Sequence, residues 1–198
     1  MSKNQIILAS ASPRRRELLA QIGVAFEASV SGVEEKPWPN ERPASYALRN
    51  AADKASEVLD RVTGDAVIIA ADTIVVLGER ILEKPRDADD ACAMLRSLSN
   101  AEHEVITGLV VLSRRGGDQR LQGDAVRTAV RFREIAGAEI SAYVATGEPM
   151  DKAGAYAIQG GAKNFVTEIR GSYTNVVGLP VDELRVMTGP DFSKGWKL

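Results

Sequence analysis

The chain has 198 residues, of which 44% are apolar and 26% charged, with a formal net charge of −2. That composition supplies a buried core and excludes intrinsic disorder; the absence of a basic excess and the 5% aromatic content argue against a protein that coats nucleic acid. The one cysteine, Cys92, excludes an intrachain disulfide, the one histidine, His103, excludes a His-rich metal site, and no apolar run is long enough to span a bilayer.

Gln5 to Ala9 reads as a short buried strand, too short an apolar run for a signal peptide, so a cytoplasmic location is expected. Ser10-Ala11-Ser12-Pro13 reads as a helix start, with Ser12 as the N-cap and Pro13 in the first helical position. The helix runs to about Ile22 and ends at Gly23. Phe26 to Val30 reads as a second strand, and Ser31 to Pro43, with its three prolines, as a loop. Ala44 to Leu59 has the apolar spacing of a helix buried on one side.

The run Ala66 to Ala71 predicts a strand covered on both faces, interrupted at Asp72-Thr73 and resumed over Ile74 to Leu77. After a turn at Gly78-Glu79, Asp87 caps a helix running to about Leu98, in which Cys92 reads as a small core residue. Glu104 to Leu112 and Leu121 to Phe132 read as two long strands joined by a hairpin at Arg114 to Asp118. A short helix over Ala138 to Ala145, a strand near Phe165 to Ile169 and a helix near Val181 to Met187 complete the chain. The early alternation of strands and helices followed by a long hairpin predicts a mixed α/β fold, with a partly antiparallel central sheet flanked by helices, as one domain over residues 1–198.

Several positions break local rules. Arg14, Arg15 and Arg16 stand in the first turn of a helix, where cations oppose the dipole at a cost of roughly 0.3–1 kcal/mol each. A bound anion resolves that conflict, and the hydroxyls of Ser10 and Ser12 with the arginines make a phosphate cradle; the alternative is a solvated basic turn, with Arg16 at the surface. Asp72 interrupts an apolar run, so its carboxylate needs a cation, a lysine or backbone donors. Glu34-Glu35 suits a hard cation such as Mg²⁺ or Mn²⁺, although adjacent loop glutamates are more often simply solvated. Lys54 and Lys84 flank the Asp72 strand in sequence; each either neutralises phosphate charge or lies at the surface. In Gly154 to Gly161, Gln159 offers an acceptor and two donors, enough to read the edge of a base, or is the exposed residue of an ordinary glycine-rich turn.

The segments Leu8 to Arg15, Ala71-Asp72-Thr73, Glu83-Lys84-Pro85, Lys152 to Gly160, and Gly171-Ser172-Tyr173 through Val177-Gly178-Leu179-Pro180 together resemble the Maf family, in the family's order and over nearly the whole chain. The resemblance implies two lobes around a substrate cleft (a Maf/inosine triphosphatase-like fold), a homodimer, and hydrolysis of a nucleoside triphosphate to the monophosphate and pyrophosphate with a divalent metal, Mg or Mn. It implies Asp72 as the general base, Glu35 and Asp72 as metal ligands, and Ser10, Ser12, Arg14, Arg15, Lys54 and Lys84 as the groups that hold the triphosphate. Arg14, Thr73 and Gln159 resemble the branch acting on dTTP and UTP; the branch acting on 7-methyl-GTP has Trp, Gln and Glu there. The alternatives are a 7-methyl-GTP or modified-nucleotide pyrophosphatase, or a non-catalytic nucleotide-binding regulator of septum formation. No nucleic-acid or membrane partner is expected. The chain departs from the family at Glu34, where many members have Asp, and at Asn100, where Gly is commoner. Gly189 to Leu198 has no family counterpart and is expected to lack fixed structure or to pack on a partner.

Overall fold

A computed structural model of the chain describes residues 5–189 and Phe192. Apart from Gly189 and Phe192, the expectation for the C-terminal segment therefore lies outside the described residues. The fold is mixed α/β. Its sheet runs in the order β2 (Glu27–Ala28), β1 (Gln5–Leu8), β3 (Ala66–Leu77), β5 (Glu102–Arg115), β6 (Asp118–Phe132), β7 (Val166–Arg170), with β4 (Arg80–Leu82) paired to β3. β1 is parallel to both β2 and β3, whereas β4 is antiparallel to β3 and β7 to β6. The helices are α1 (Pro13–Gln21), α2 (Pro43–Asp60), α3 (Ala88–Leu98), α4 (Gly137–Ala145), α5 (Tyr173–Val177) and α6 (Val181–Thr188).

The contacts divide the chain into two compact units: Met1–Asp72 with Thr107–Val126 and Gly178–Leu198, and Thr73–Ile106 with Arg127–Val177. In the first unit the buried side of α2 lies on one face of the sheet. Ala51, Ala55, Val58 and Leu59 repeat at helical spacing and meet Ile7 and Ala9 of the first strand segment, Ala66, Ile68 and Ala70 of β3, and Val110 and Leu112 of β5. Each large side chain buried this way contributes about 1.5–3 kcal/mol. Val67, Ile69 and Ala71 on the opposite face of β3 are equally buried, as the continuous apolar run predicts.

Several expectations change. β3 continues without a break through Asp72 and Thr73. A ladder is held by backbone groups, and the Asp72 carboxylate is matched by polar partners on α2, so its charge does not interrupt the strand. Cys92 is half-buried, not a core residue. The inner face of α3 is made by Ala91, Met94, Leu95 and Leu98, and Cys92 stands beside that stripe. The strands of the hairpin are longer than their apolar patterns, turning only at Gly116-Gly117. No helix among the described residues is long and apolar enough to cross a membrane.

The second unit holds the histidine in an aromatic cluster. The His103 ring packs edge-on against Phe132 at 4.9 Å and Tyr156 at 5.4 Å, and its Nε2 lies 2.9 Å from Tyr156 Oη. Nδ1 is buried with no partner among the described residues. Burial pushes the imidazole from its ordinary 6.5 down to about 4. The folded state therefore favours the neutral ring. Its contribution is fully present above pH 6.5 and is lost as pH falls from there to about 4. The expected loss is up to about 3 kcal/mol across that window. Thermal melting from pH 7 to 4.5 checks it: the slope for the wild type should be steeper than for His103→Gln, whose side chain does not titrate.

Candidate active site

The start of α1 forms as expected. Ser12 is extended at φ −63°, ψ 120°, and its hydroxyl accepts from Arg15 N at 3.5 Å, with Pro13 next in the chain. The three arginines then diverge. Arg16 is exposed and Arg14 half-buried. The Arg15 guanidinium turns inward, where Nε donates to Gly178 O at 2.8 Å and an Nη donates to Ser10 Oγ at 3.2 Å. Ser10 Oγ also accepts from Ser12 N at 3.1 Å. Burial lowers the Arg15 pKa against the opposing pull of Asp72 and Glu35. The protein's own carboxylates thus offset part of the charge that the sequence places against the helix dipole.

Those carboxylates meet on α2. Asn50 and Lys54 lie one helical turn apart on its buried side, the spacing at which two side chains share a face. Asp72 projects from β3 between them. Lys54 Nζ is 2.7 Å from Asp72 Oδ1 and 2.6 Å from Glu35 Oε1, and Asn50 Nδ2 donates to Asp72 Oδ2 at 3.0 Å. Asn50 is 0%, Asp72 5% and Lys54 8% exposed, so this charge pair is desolvated and each member depends on the other. Asn50 Oδ1 is buried without a partner among the described residues. Of the two loop glutamates only Glu35 turns in; Glu34 pairs with Lys36 at 2.6 Å in solvent.

The loop carrying Glu35 is tied to α2 by Arg49. Its guanidinium grips Glu41 with two bonds of 2.7 Å, donates to Lys36 O at 2.8 Å, and lies 4.1 Å from the Trp38 ring centroid. The Arg49 hydrogen bonds hold the Glu41 carboxyl below its ordinary pKa. Arg49→Ala is expected to cost about 1.5–3 kcal/mol, which thermal melting checks.

In the second unit, Thr73 follows Asp72 on β3 with its side chain on the opposite face and is half-buried. Lys84 is exposed after β4, and Gln159 is exposed on the loop before the 3-10 turn Gly161–Phe165. No group of three or more His, Cys, Asp and Glu side chains able to hold a metal occurs among the described residues. Glu35 and Asp72 nevertheless share one cation, the Lys54 ammonium. A pair of oxygen donors suits Mg²⁺, which takes one or two carboxylates and completes its shell with water and substrate phosphates, so the residues present fit a divalent ion.

The Maf-like protein family model matches residues 5–189. The chain belongs to the Maf family. A Maf relative from Geobacter sulfurreducens, dTTP/UTP pyrophosphatase, is 55% identical over 185 residues, covering 93% of this chain and 95% of that protein. Another dTTP/UTP pyrophosphatase, from Anaeromyxobacter dehalogenans, is 53% identical over 180 residues, 90% of each chain. The crystal structure of a nucleoside-triphosphatase / dITP/XTP pyrophosphatase from Mycobacterium abscessus aligns with a TM-score of 0.36 and 16% identity over 64% of this chain and 74% of that one, a level that carries no argument.

Within this Maf chain, the first unit gathers Ser10, Arg15, Glu35, Lys54 and Asp72 of the expected site. Asn50 joins them and is not evident as a functional residue from the sequence. Its signal was positional: an amide on the buried stripe of α2, four residues before Lys54.

Proposed function

We propose that this Maf protein is a nucleoside triphosphate pyrophosphatase, a hydrolase of acid anhydrides that converts dTTP and UTP to the monophosphate and pyrophosphate. The geometric observation that carries the reading is the buried Asp72 carboxylate held between Lys54 and Asn50, with Glu35 on the same lysine. The names of relatives that are 55% and 53% identical over nearly the whole chain support the two substrates.

Asp72 is the general base. It takes the proton as water bonds to the α-phosphorus; the bridging α–β P–O bond breaks, and pyrophosphate leaves with the electron pair. Lys54, Lys84 and Arg14 offset the negative charge of the triphosphate, while Ser10 and Ser12 fix phosphate oxygens and Arg15 braces the Ser10 turn. Glu35 and Asp72 would hold a Mg²⁺ or Mn²⁺ ion, which would supply polarisation of the phosphoryl oxygens. Arg14, Thr73 and Gln159 set the base preference. The Gln159 amide matches the O4 and N3–H common to uracil and thymine. A homodimer in the cytoplasm, serving to clear nucleotide pools, completes the proposal.

Pyrophosphate release from dTTP, UTP, CTP, GTP and 7-methyl-GTP with Mg²⁺ or Mn²⁺ tests it. Release from dTTP and UTP well above the other three is expected. Release from 7-methyl-GTP instead would overturn the base assignment, and dTTP binding without release from any nucleotide would leave a regulator.

A further inference from the structure

The loop that carries Gln159 is framed by two side chains from outside it. Tyr143, near the end of α4, donates its hydroxyl to Glu148 Oε1 at 2.7 Å and accepts from Ala157 N at 3.0 Å. Glu148 Oε2 accepts from Gly161 N at 3.3 Å. One tyrosine–glutamate pair therefore grips the backbone on both sides of Gln159. The pair is itself fixed: the Tyr143 ring stands edge-on to Phe165 at 5.5 Å, Glu148 N donates to Thr146 Oγ1 at 3.2 Å, and Lys152 Nζ donates to Glu148 O at 3.0 Å.

The loop backbone is pressed against this frame. A Cβ at Gly160 would overlap the Glu148 carboxylate, and one at Gly161 would lie 3.0 Å from the Tyr143 ring. Ala155, Tyr156, Ala157, Ile158 and Ala162 are all buried, so Gln159 is the one exposed side chain from residue 155 to 162. Two consecutive glycines would otherwise give this loop more backbone freedom than any other pair of residues, and ordering it would cost binding free energy at each encounter with a ligand.

We propose that Tyr143 and Glu148 are positioning residues for pyrimidine discrimination, holding the Ala157–Gly161 backbone so that the Gln159 amide meets the base in one orientation. The inference rests on the reading of Gln159 as the base-contacting residue. A frame that only stabilised the fold would affect every nucleotide alike; a frame that aims one amide acts on the choice between bases.

The test compares Tyr143→Phe, Gln159→Ala and the double variant in the full chain, by the ratio of kcat/KM for dTTP to that for CTP and by calorimetric Kd for dTMP and dCMP, which have no anhydride bond to cleave. Tyr143→Phe keeps the ring on Phe165 and removes the hydroxyl alone; Glu148→Gln is the second variant should it fold poorly. The expected result is that Tyr143→Phe lowers the thymine preference about fivefold to tenfold, Gln159→Ala lowers it at least as much, and the double variant is no worse than Gln159→Ala. Equal losses for thymine and cytosine ligands in Tyr143→Phe, or losses that add in the double variant, would overturn the positioning role while leaving Gln159 as the reader. An unchanged preference in Gln159→Ala would remove the base reading itself, and the positioning role with it.

Discussion

Asp72→Asn should lower kcat for dTTP by about a thousandfold or more, in the upper part of the range for removing a positioned general base, while the protein still folds. The first half follows from chemistry. An amide has no useful basicity near neutral pH, and it carries no negative charge. The second half follows from the neighbours. Asp72 accepts from Lys54 through Oδ1 and from Asn50 through Oδ2. An asparagine at 72 can accept only through its one oxygen, which Lys54 would keep, and its NH₂ would then face the Asn50 NH₂. Asn50, however, carries a buried Oδ1 with no partner among the described residues. Turning the Asn50 amide over presents that oxygen to the new NH₂, and the one buried group without a partner becomes the Asn50 NH₂ in place of its Oδ1. Lys54 keeps Glu35 as its counter-charge. The melting temperature should therefore fall by only a few degrees, equivalent to about 1 kcal/mol. Single-turnover kinetics and thermal melting on the same preparation check the pair of outcomes. Near-normal turnover would defeat the general-base role, and an unfolded variant would defeat the account of Asn50.

How much of this was legible in the sequence depended on whether the signal was local. β3 and α2 follow from runs whose periodicity is their own, and the α1 start follows from Ser12 and Pro13 beside each other. The carboxylate at 72 was visible as an anomaly in an apolar run, but a broken strand was the wrong inference. The residues that make the charge tolerable, Lys54 and Asn50, lie 18 and 22 positions earlier. Arg49, likewise, looks like any exposed helical arginine until Glu41 and Trp38 fold back over it from a loop with no periodicity. Tyr143 has an apolar ring that reads as core, which it is; only the fold shows that its hydroxyl meets the backbone of a loop 14 residues on. β4 and α5 are of 3 and 5 residues, too short for a repeating pattern to show. Function was thus most legible where several weak motifs occur in a fixed order, and least legible where one side chain supports another across the fold.

Gly108→Ala should produce the largest loss of stability of any single methyl group added to the first unit. A Cβ at this position of β5 would overlap the carbonyl of Ala47 and lie 2.5 Å from Leu48 N, both of them backbone atoms of α2. A side chain in the way can change rotamer; a helix backbone can move only as a body. α2 sits this close because its sheet-facing positions Ala47, Ala51 and Ala55 are small and 0% exposed. Lifting it opens the packing against Ile68 and Val110 at the same time. The expected cost is about 3 kcal/mol or more, a fall in melting temperature of roughly 6–12 °C for a chain of this size. Gly123→Ala is the comparison, since its Cβ would meet mainly the Leu48 and Val110 side chains at 3.0 and 3.1 Å, which can give way, and it should cost much less. The same displacement reaches the chemistry. Asn50 and Lys54 follow Ala47 on the same rigid helix, and their bonds to Asp72 of 3.0 and 2.7 Å leave little room for a shift. The fraction of Gly108→Ala that remains folded at low temperature should therefore have a lower kcat than the wild type, not merely less active protein. The single-turnover rate constant with enzyme in excess, set beside the folded fraction from circular dichroism, separates the two. Wild-type turnover per folded molecule would mean that the α2–β5 approach serves stability alone.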